Sequence, residues 1–263
     1  MKLIDTHCHI TDDRYEDKDA VVRAFFGAGG KVLVNGGYDV ASSEEGAVLA
    51  EKYPGFYFTV GIHPDNAENA LVPENGEKLK TLVAHAKCLA IGEIGLDYHY
   101  EPFDAKTQQK AFLLQIFLAK ETGLPFVVHA RDATEDTVRI LRFEKPKELQ
   151  GVMHCYAGSK ETAKILLDAG MYFSFSGTLT FKNAANLRDV AAYLPKDRIL
   201  TETDSPYLAP EPFRGQENCP SHVSEVLKKL AEVRGEEIEE VADAVFGNAC
   251  RIFPKLDEKL WKV

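Results

Sequence analysis

Eight short apolar runs, alternating with helical stretches, constrain this chain more than any other feature. They are "KLIDTH", "KVLVNGG", "FYFTVGIH", "CLAIGEIG", "PFVVHA", "GVMHCYAG", "MYFSFSG" and "RILTETD". Most are continuously apolar and do not alternate, as expected of strands in a parallel sheet covered on both faces. Between them lie helical segments. "TQQKAFLLQIFLAKETG" closes on Gly123, a natural stop. "ATEDTVRILRF" opens with acidic residues that suit a helix N-terminus. "HVSEVLKKLAEV" places Val223, Val226, Leu227, Leu230 and Ala231 on one face. The last segment, "EEIEEVADAVFGNACRIF", reads as one or two extra C-terminal helices, and residues 206–220 as a long loop.

Strand–helix alternation of this kind fits a (β/α)8 TIM barrel or a doubly wound open sheet. The polar residues decide between them. "THCH", "GIHP", "GEIG", "VHAR", "MHCY" and "ETDS" all fall at the C-terminal ends of strand candidates. A barrel gathers these ends on one rim, whereas an open sheet spreads them along a line. The expectation is therefore a single barrel domain over residues 1–263, a length that suits this fold.

Composition removes several classes. The net charge of −10 argues against broad electrostatic affinity for nucleic acid, though not against a local phosphate site charged by metal. Five cysteines without a C-x-x-C pair argue against a disulfide framework. No apolar run approaches the ~20 residues that span a bilayer. "MKLIDTHCHI" lacks the features of a secretory leader. The chain reads as a cytoplasmic protein without a membrane segment, and a monomer is compatible with it.

The chemistry lies in the rim motifs. On a strand, residues i and i+2 share a face, so His7 and His9 aim two imidazoles at one point while Cys8 faces away. Paired imidazoles suit a divalent metal, although alone they are also compatible with a polar strand end. His129 and His154 end two further apolar strands. Glu93 is a carboxylate inside an apolar, glycine-flanked strand, costly to bury unless paired or metal-bound. Asp204 precedes Ser205-Pro206 and also reads as a turn residue.

Together the four imidazoles and two carboxylates exceed what one catalytic zinc takes from a protein. They fit two divalent ions bridged by Glu93: His7, His9 and Asp204 on one, His129 and His154 on the other. Histidine-rich ligation suits zinc or manganese, and the carboxylates admit magnesium. Such a pair supports in-line attack at phosphorus, with Asp204 as candidate general base.

In order and spacing, "DTHCHI", "GIHP", "AIGEIGLDYH", "PFVVHARDA", "HCYAG" and "LTETDSPYL" resemble the motifs of the TatD family of metal-dependent hydrolases, from residue 3 to about residue 253. The resemblance implies a TIM-type barrel, a two-metal site and hydrolysis of DNA phosphodiesters, often from a strand end. It carries the ligand roles onto His7, His9, Glu93, His129, His154 and Asp204. Two departures stand out. "HCYAG" replaces the usual H-C-F-S-G, and Cys219 in "RGQENCP" stands where a glutamate is usual. The second bears on substrate specificity.

Substrate contacts are expected from His63 and Arg131, which suit phosphate oxygens, and from Tyr98 stacking on a base. For Arg131 the structural alternative is a salt bridge with Asp132 or Asp97, and for Tyr98 a packed aromatic. Asp97 is expected to orient a ligand histidine or to cap its loop, and His99 and Lys182 are lesser candidates. His85 and His222 read as surface residues, and Cys88, Cys155 and Cys250 as core. The expected substrate is DNA, single-stranded or end-accessible. The alternative is an ester or amide, such as a nucleic-acid-linked acyl group.

Overall fold

The computed structural model describes residues 2–262; Met1 and Val263, the ends of the expected 1–263 domain, lie outside the described residues. Eight strands run β1 (Leu3–Cys8), β2 (Gly30–Asn35), β3 (Phe56–Val60), β4 (Cys88–Asp97), β5 (Phe126–Arg131), β6 (Gly151–Met153), β7 (Met171–Phe175) and β8 (Ile199–Thr201). Each pairs in parallel with the next, in the order of the sequence. The result is a nearly closed (β/α)8 TIM barrel.

The seam between β1 and β8 is what distinguishes the barrel from an open sheet. It is closed by individual bonds and not by a regular ladder. Thr6 Oγ1 donates to the Thr201 carbonyl at 3.0 Å. The Asp204 N–H donates to the His7 carbonyl at 3.0 Å, and the His9 N–H to the Ser205 carbonyl at 2.7 Å. Asp5, fully buried, accepts from the Thr203 hydroxyl at 2.6 Å and from the Thr203 and His7 N–H groups.

The main helices are α1 (Lys18–Gly27), α2 (Val40–Lys52), α3 (Pro73–Val83), α4 (Ala105–Thr122), α5 (Thr134–Arg139), α6 (Lys160–Asp168), α7 (Ala185–Tyr193), α8 (Val223–Arg234) and α9 (Ile238–Ile252). Their starts follow from local chemistry. Asp39 and Ser42 form a reciprocal capping box on α2, and Asp104 accepts from the N–H groups of Lys106 and Thr107 on α4. Gly123 (φ 69°) and Gly235 (φ 63°) end α4 and α8 in the left-handed conformation that glycine adopts at little cost. The five apolar residues predicted for one face of α8 are all buried. α9 is the extra C-terminal helix, followed by a short turn at Lys259–Lys262.

The strand ends differ from the sequence reading in a way that matters. β6 and β8 stop after three residues, so His154 and Asp204 stand just beyond their strands. β4 instead continues to Asp97 because it pairs with β5 as far as Arg131. Large aromatic side chains, including Phe56, Phe58, Phe126, Phe173 and Phe175, fill the interior.

Candidate metal centre

Glu93, 2% exposed, lies at the centre of the rim. Its Oε2 is 3.3 Å from His7 Nε2 and 3.4 Å from His9 Nε2. Its Oε1 is 2.7 Å from both His129 Nδ1 and His154 Nε2. One carboxylate thus faces two imidazole pairs, one on each oxygen. Asp204 Oδ1 approaches His9 Nε2 at 3.4 Å and His7 Nε2 at 4.0 Å. All six residues expected from the sequence meet here.

The backbone is shaped to bring them together. The His7 and His9 rings stand edge to face with their Nε2 atoms 3.3 Å apart. Gly36 leaves room for His7: a Cβ there would lie 2.6 Å from its Cε1. Asp204 adopts φ 55°, a left-handed conformation, with its carboxylate beside His9.

The donor set suits divalent cations. Within each imidazole pair two ring nitrogens lie 3.2–3.3 Å apart and converge on the same carboxylate oxygen, the arrangement expected of ligands that share a cation. Combinations such as His7, His9 and Asp204, or His7, Glu93 and His154, offer ligand atoms within 4.8 Å of one another. Two of the remaining ring nitrogens are hydrogen-bonded from behind, whereas His7 Nδ1 has no hydrogen-bond partner among the described residues. His9 Nδ1 is 3.1 Å from the Gly36 carbonyl, and His129 Nε2 is 3.0 Å from Asp97 Oδ2. His154 Nδ1 lies 3.3 Å from Glu202 Oε1, an ion-pair distance without hydrogen-bond geometry. Outer partners of this kind fix the tautomer of metal-binding histidines.

Glu202 is not singled out by the sequence reading. It is fully buried, accepts from the Cys155 N–H at 2.6 Å, and leaves its Oε2 without a hydrogen-bond partner. The available signal is an acid two residues before Asp204 at the end of an apolar strand. A Glu202→Gln variant keeps the shape and the bond from Cys155 but loses the charge behind His154. Metal affinity measured by competition with a chelating dye is expected to fall about 10- to 100-fold. Unchanged affinity would assign Glu202 to packing alone.

Electrostatics follow from burial and neighbours. Burial and the nearby His154 lower the His7 pKa. Burial also opposes charge on His129, but Asp97 and Glu93 outweigh it and push its pKa up to about 9. At His154 burial is likewise overcome, by Glu93 and Glu202, and its pKa lies well above the ordinary value. For Glu93, burial favours the neutral acid, yet the surrounding imidazoles hold its pKa well below the usual range. Without metal, His129 and His154 therefore carry protons at neutral pH that a cation must displace. Affinity should rise with pH up to about 9, by about tenfold per unit for each proton displaced. Calorimetric titrations in buffers of different ionisation enthalpy count the released protons. A pH-independent affinity would contradict this arrangement.

The secondary residues divide. His63 stands beside the cluster, its Nε2 3.8 Å from Glu93 Oε1 and its ring against His129. Arg131 is exposed and makes no ion pair among the described residues. Its guanidinium lies 4.9 Å from the Tyr100 ring centre and donates to the Tyr100 hydroxyl. Asp132 pairs with His99 instead. Tyr98, expected to contact a base, is engaged within the protein: its ring stacks on Phe103 and its hydroxyl donates to Asp136. His222 is not a plain surface residue either, because it stacks on Phe213 and bonds Asn218. Cys88 is buried as expected, whereas Cys155 and Cys250 are partly exposed.

The family model described as TatD related DNase matches residues 4–254. The chain belongs to the TatD family. This TatD-family chain is 40% identical to the uncharacterized metal-dependent hydrolase YabD of Bacillus subtilis, over 95% of this chain and 98% of the relative. It is 41% identical to the uncharacterized metal-dependent hydrolase YcfH of Escherichia coli K12, over 96% of each. The crystal structure of YjjV, a TatD homologue from Escherichia coli K12, superposes with a TM-score of 0.89 at 31% identity, covering 96% of this chain and 98% of that one. The TatD-family protein described here is thus a metal-dependent hydrolase. None of its described helices is long and apolar enough to cross a membrane.

Proposed function

We propose that the protein is a deoxyribonuclease that hydrolyses DNA phosphodiester bonds at a two-metal site, the whole chain acting as one catalytic domain. The observation that carries the reading is Glu93 facing two imidazole pairs through its two oxygens, with Asp204 on the outer side of one pair. His7, His9 and Asp204 would hold one cation, His129 and His154 the other, and Glu93 both. Zinc, manganese and magnesium all suit this mixture of nitrogen and oxygen donors. When bound, such cations supply Lewis acidity and lower the pKa of water.

The chain's own residues do the rest. Asp204, held by its backbone bond to His7, accepts the proton of the attacking water. Its pKa lies below the usual value because His9, His154 and His7 outweigh its burial, so it is ionised and ready at neutral pH. His63 and Arg131 stand on the rim where a phosphodiester would enter, and Arg131 has donors to spare for its oxygens. The family's description as DNase-related points the same way. The free cysteines accord with a reducing, cytoplasmic setting.

The test is digestion of end-labelled single-stranded DNA across a panel of zinc, manganese and magnesium. Cleavage that a chelator and His129→Ala both abolish is expected. Turnover of acyl esters or amides with none of DNA would overturn the nuclease reading in favour of an acyl hydrolase.

A further inference from the structure

The barrel mouth is strongly uneven in charge. After β3 and β4, Asp65, Glu68, Glu101 and Asp104 line an open cleft of about 630 Å³ that contains no lysine or arginine. The cleft is roomy, yet a polyanion entering it would meet four carboxylates. Most other rim loops also carry acids, from Asp12 and Asp13 after β1 to Asp132 after β5. Only the loops after β6 and β7, "HCYAGS" and "SGTLTFKNA", contain none.

The acid-free sector borders the site, with one cation inside it and a second on the neighbouring loop after β8. Lys182 is exposed on the β7 loop. Arg214, on the loop that begins at Asp204, lies with its guanidinium 3.8 Å from the Phe181 ring centre. Neither cation makes an ion pair with a carboxylate among the described residues, although Glu211 and Glu217 flank Arg214 in sequence. The two loops form one wall. The Glu211 N–H donates to Thr180 Oγ1 at 2.8 Å, and Gly177 packs too closely against the Leu208 carbonyl to admit a side chain. Arg188 Nη1 donates to the Phe181 carbonyl at 2.8 Å and fixes that corner. By strand order this wall stands half a barrel turn from the acidic cleft.

We infer that a single strand of nucleic acid leaves the metal site over the β6–β7 sector, with its phosphates on Lys182 and Arg214 and a base against the Phe181–Arg214 stack. An aromatic ring paired with a guanidinium suits that role, because stacking is sequence-tolerant and the cation serves the backbone. The acidic cleft works in the opposite sense and turns the strand away from β3 and β4. The inference rests on the nuclease reading.

The test uses the metal-loaded enzyme and a short end-labelled single-stranded oligonucleotide, with kcat/KM measured across salt concentrations. For Lys182→Glu/Arg214→Glu, kcat/KM is expected to fall about tenfold through KM. The slope of log kcat/KM against log salt should become shallower by about 1.4, at ~0.7 for each phosphate that the protein ceases to neutralise. Glu68→Gln/Glu101→Gln, in the cleft, should stay within about twofold of wild type. If the double variant does not fold, Lys182→Glu alone should change the slope by about 0.7. An unchanged slope in the folded rim variants, or a larger KM effect from the cleft pair, would overturn this path and leave the nuclease reading intact. A wild-type enzyme that does not cut the oligonucleotide would overturn both.

Discussion

Glu93→Gln is expected to lose most of its metal and about 10³-fold or more in turnover. The substitution removes the anion between four imidazoles while keeping the side chain's size. Metal-ion stabilisation of developing charge is worth several kcal/mol, and about 4 kcal/mol corresponds to that loss. The variant should also retain its fold, because the Glu93 side chain takes no part in the seam and its neighbours are the other site residues. Elemental analysis after gel filtration reads the metal content, and melting curves check the fold. A variant that kept the wild-type metal content and full turnover would remove Glu93 from the centre of the site.

Asp204→Asn separates proton transfer from metal binding. With saturating metal, kcat is expected to fall by about 10²- to 10⁴-fold, the span typical of a positioned acid–base group. Asparagine keeps an oxygen toward His9, so metal content should decline less than activity. The acid limb of the pH–rate profile should change as well, because wild-type Asp204 is ionised down to pH values below the ordinary aspartate range. Activity then falls as pH drops through its lowered pKa, and that limb disappears in the variant. Near-normal kcat in a metal-replete Asp204→Asn protein would exclude the base role.

Much of this is legible in the chain. Parallel strands covered on both faces show themselves as apolar runs, and polar residues at one consistent end of those runs betray a common rim. The six central residues are readable because each breaks an apolar run where burial would otherwise be costly. Glu202 and Asp5 are harder to see. Both are acids at strand tips, where a sequence does not distinguish a buried hydrogen-bonded carboxylate from a solvated turn residue. Tyr98 and Tyr100 show the same limit. They alternate along one loop, and only packing reveals that Tyr98 is engaged by Phe103 and Asp136 while Tyr100 is 62% exposed. The acids of the loops after β3 and β4 lie far apart in the chain, and their shared acidic cleft emerges only when the strands are set side by side.

The few bonds that join the first strand to the last have one more implication. Asp5 and Thr203, 198 residues apart, meet in that join, immediately below the donors contributed by His7, His9 and Asp204. During synthesis a ribosome must therefore deliver most of the polypeptide before a cation between His7, His9 and Asp204 would be gripped from both sides. A prematurely ended product would lack one jaw of the clamp, so catalytic competence arrives late and reports that the cylinder is whole.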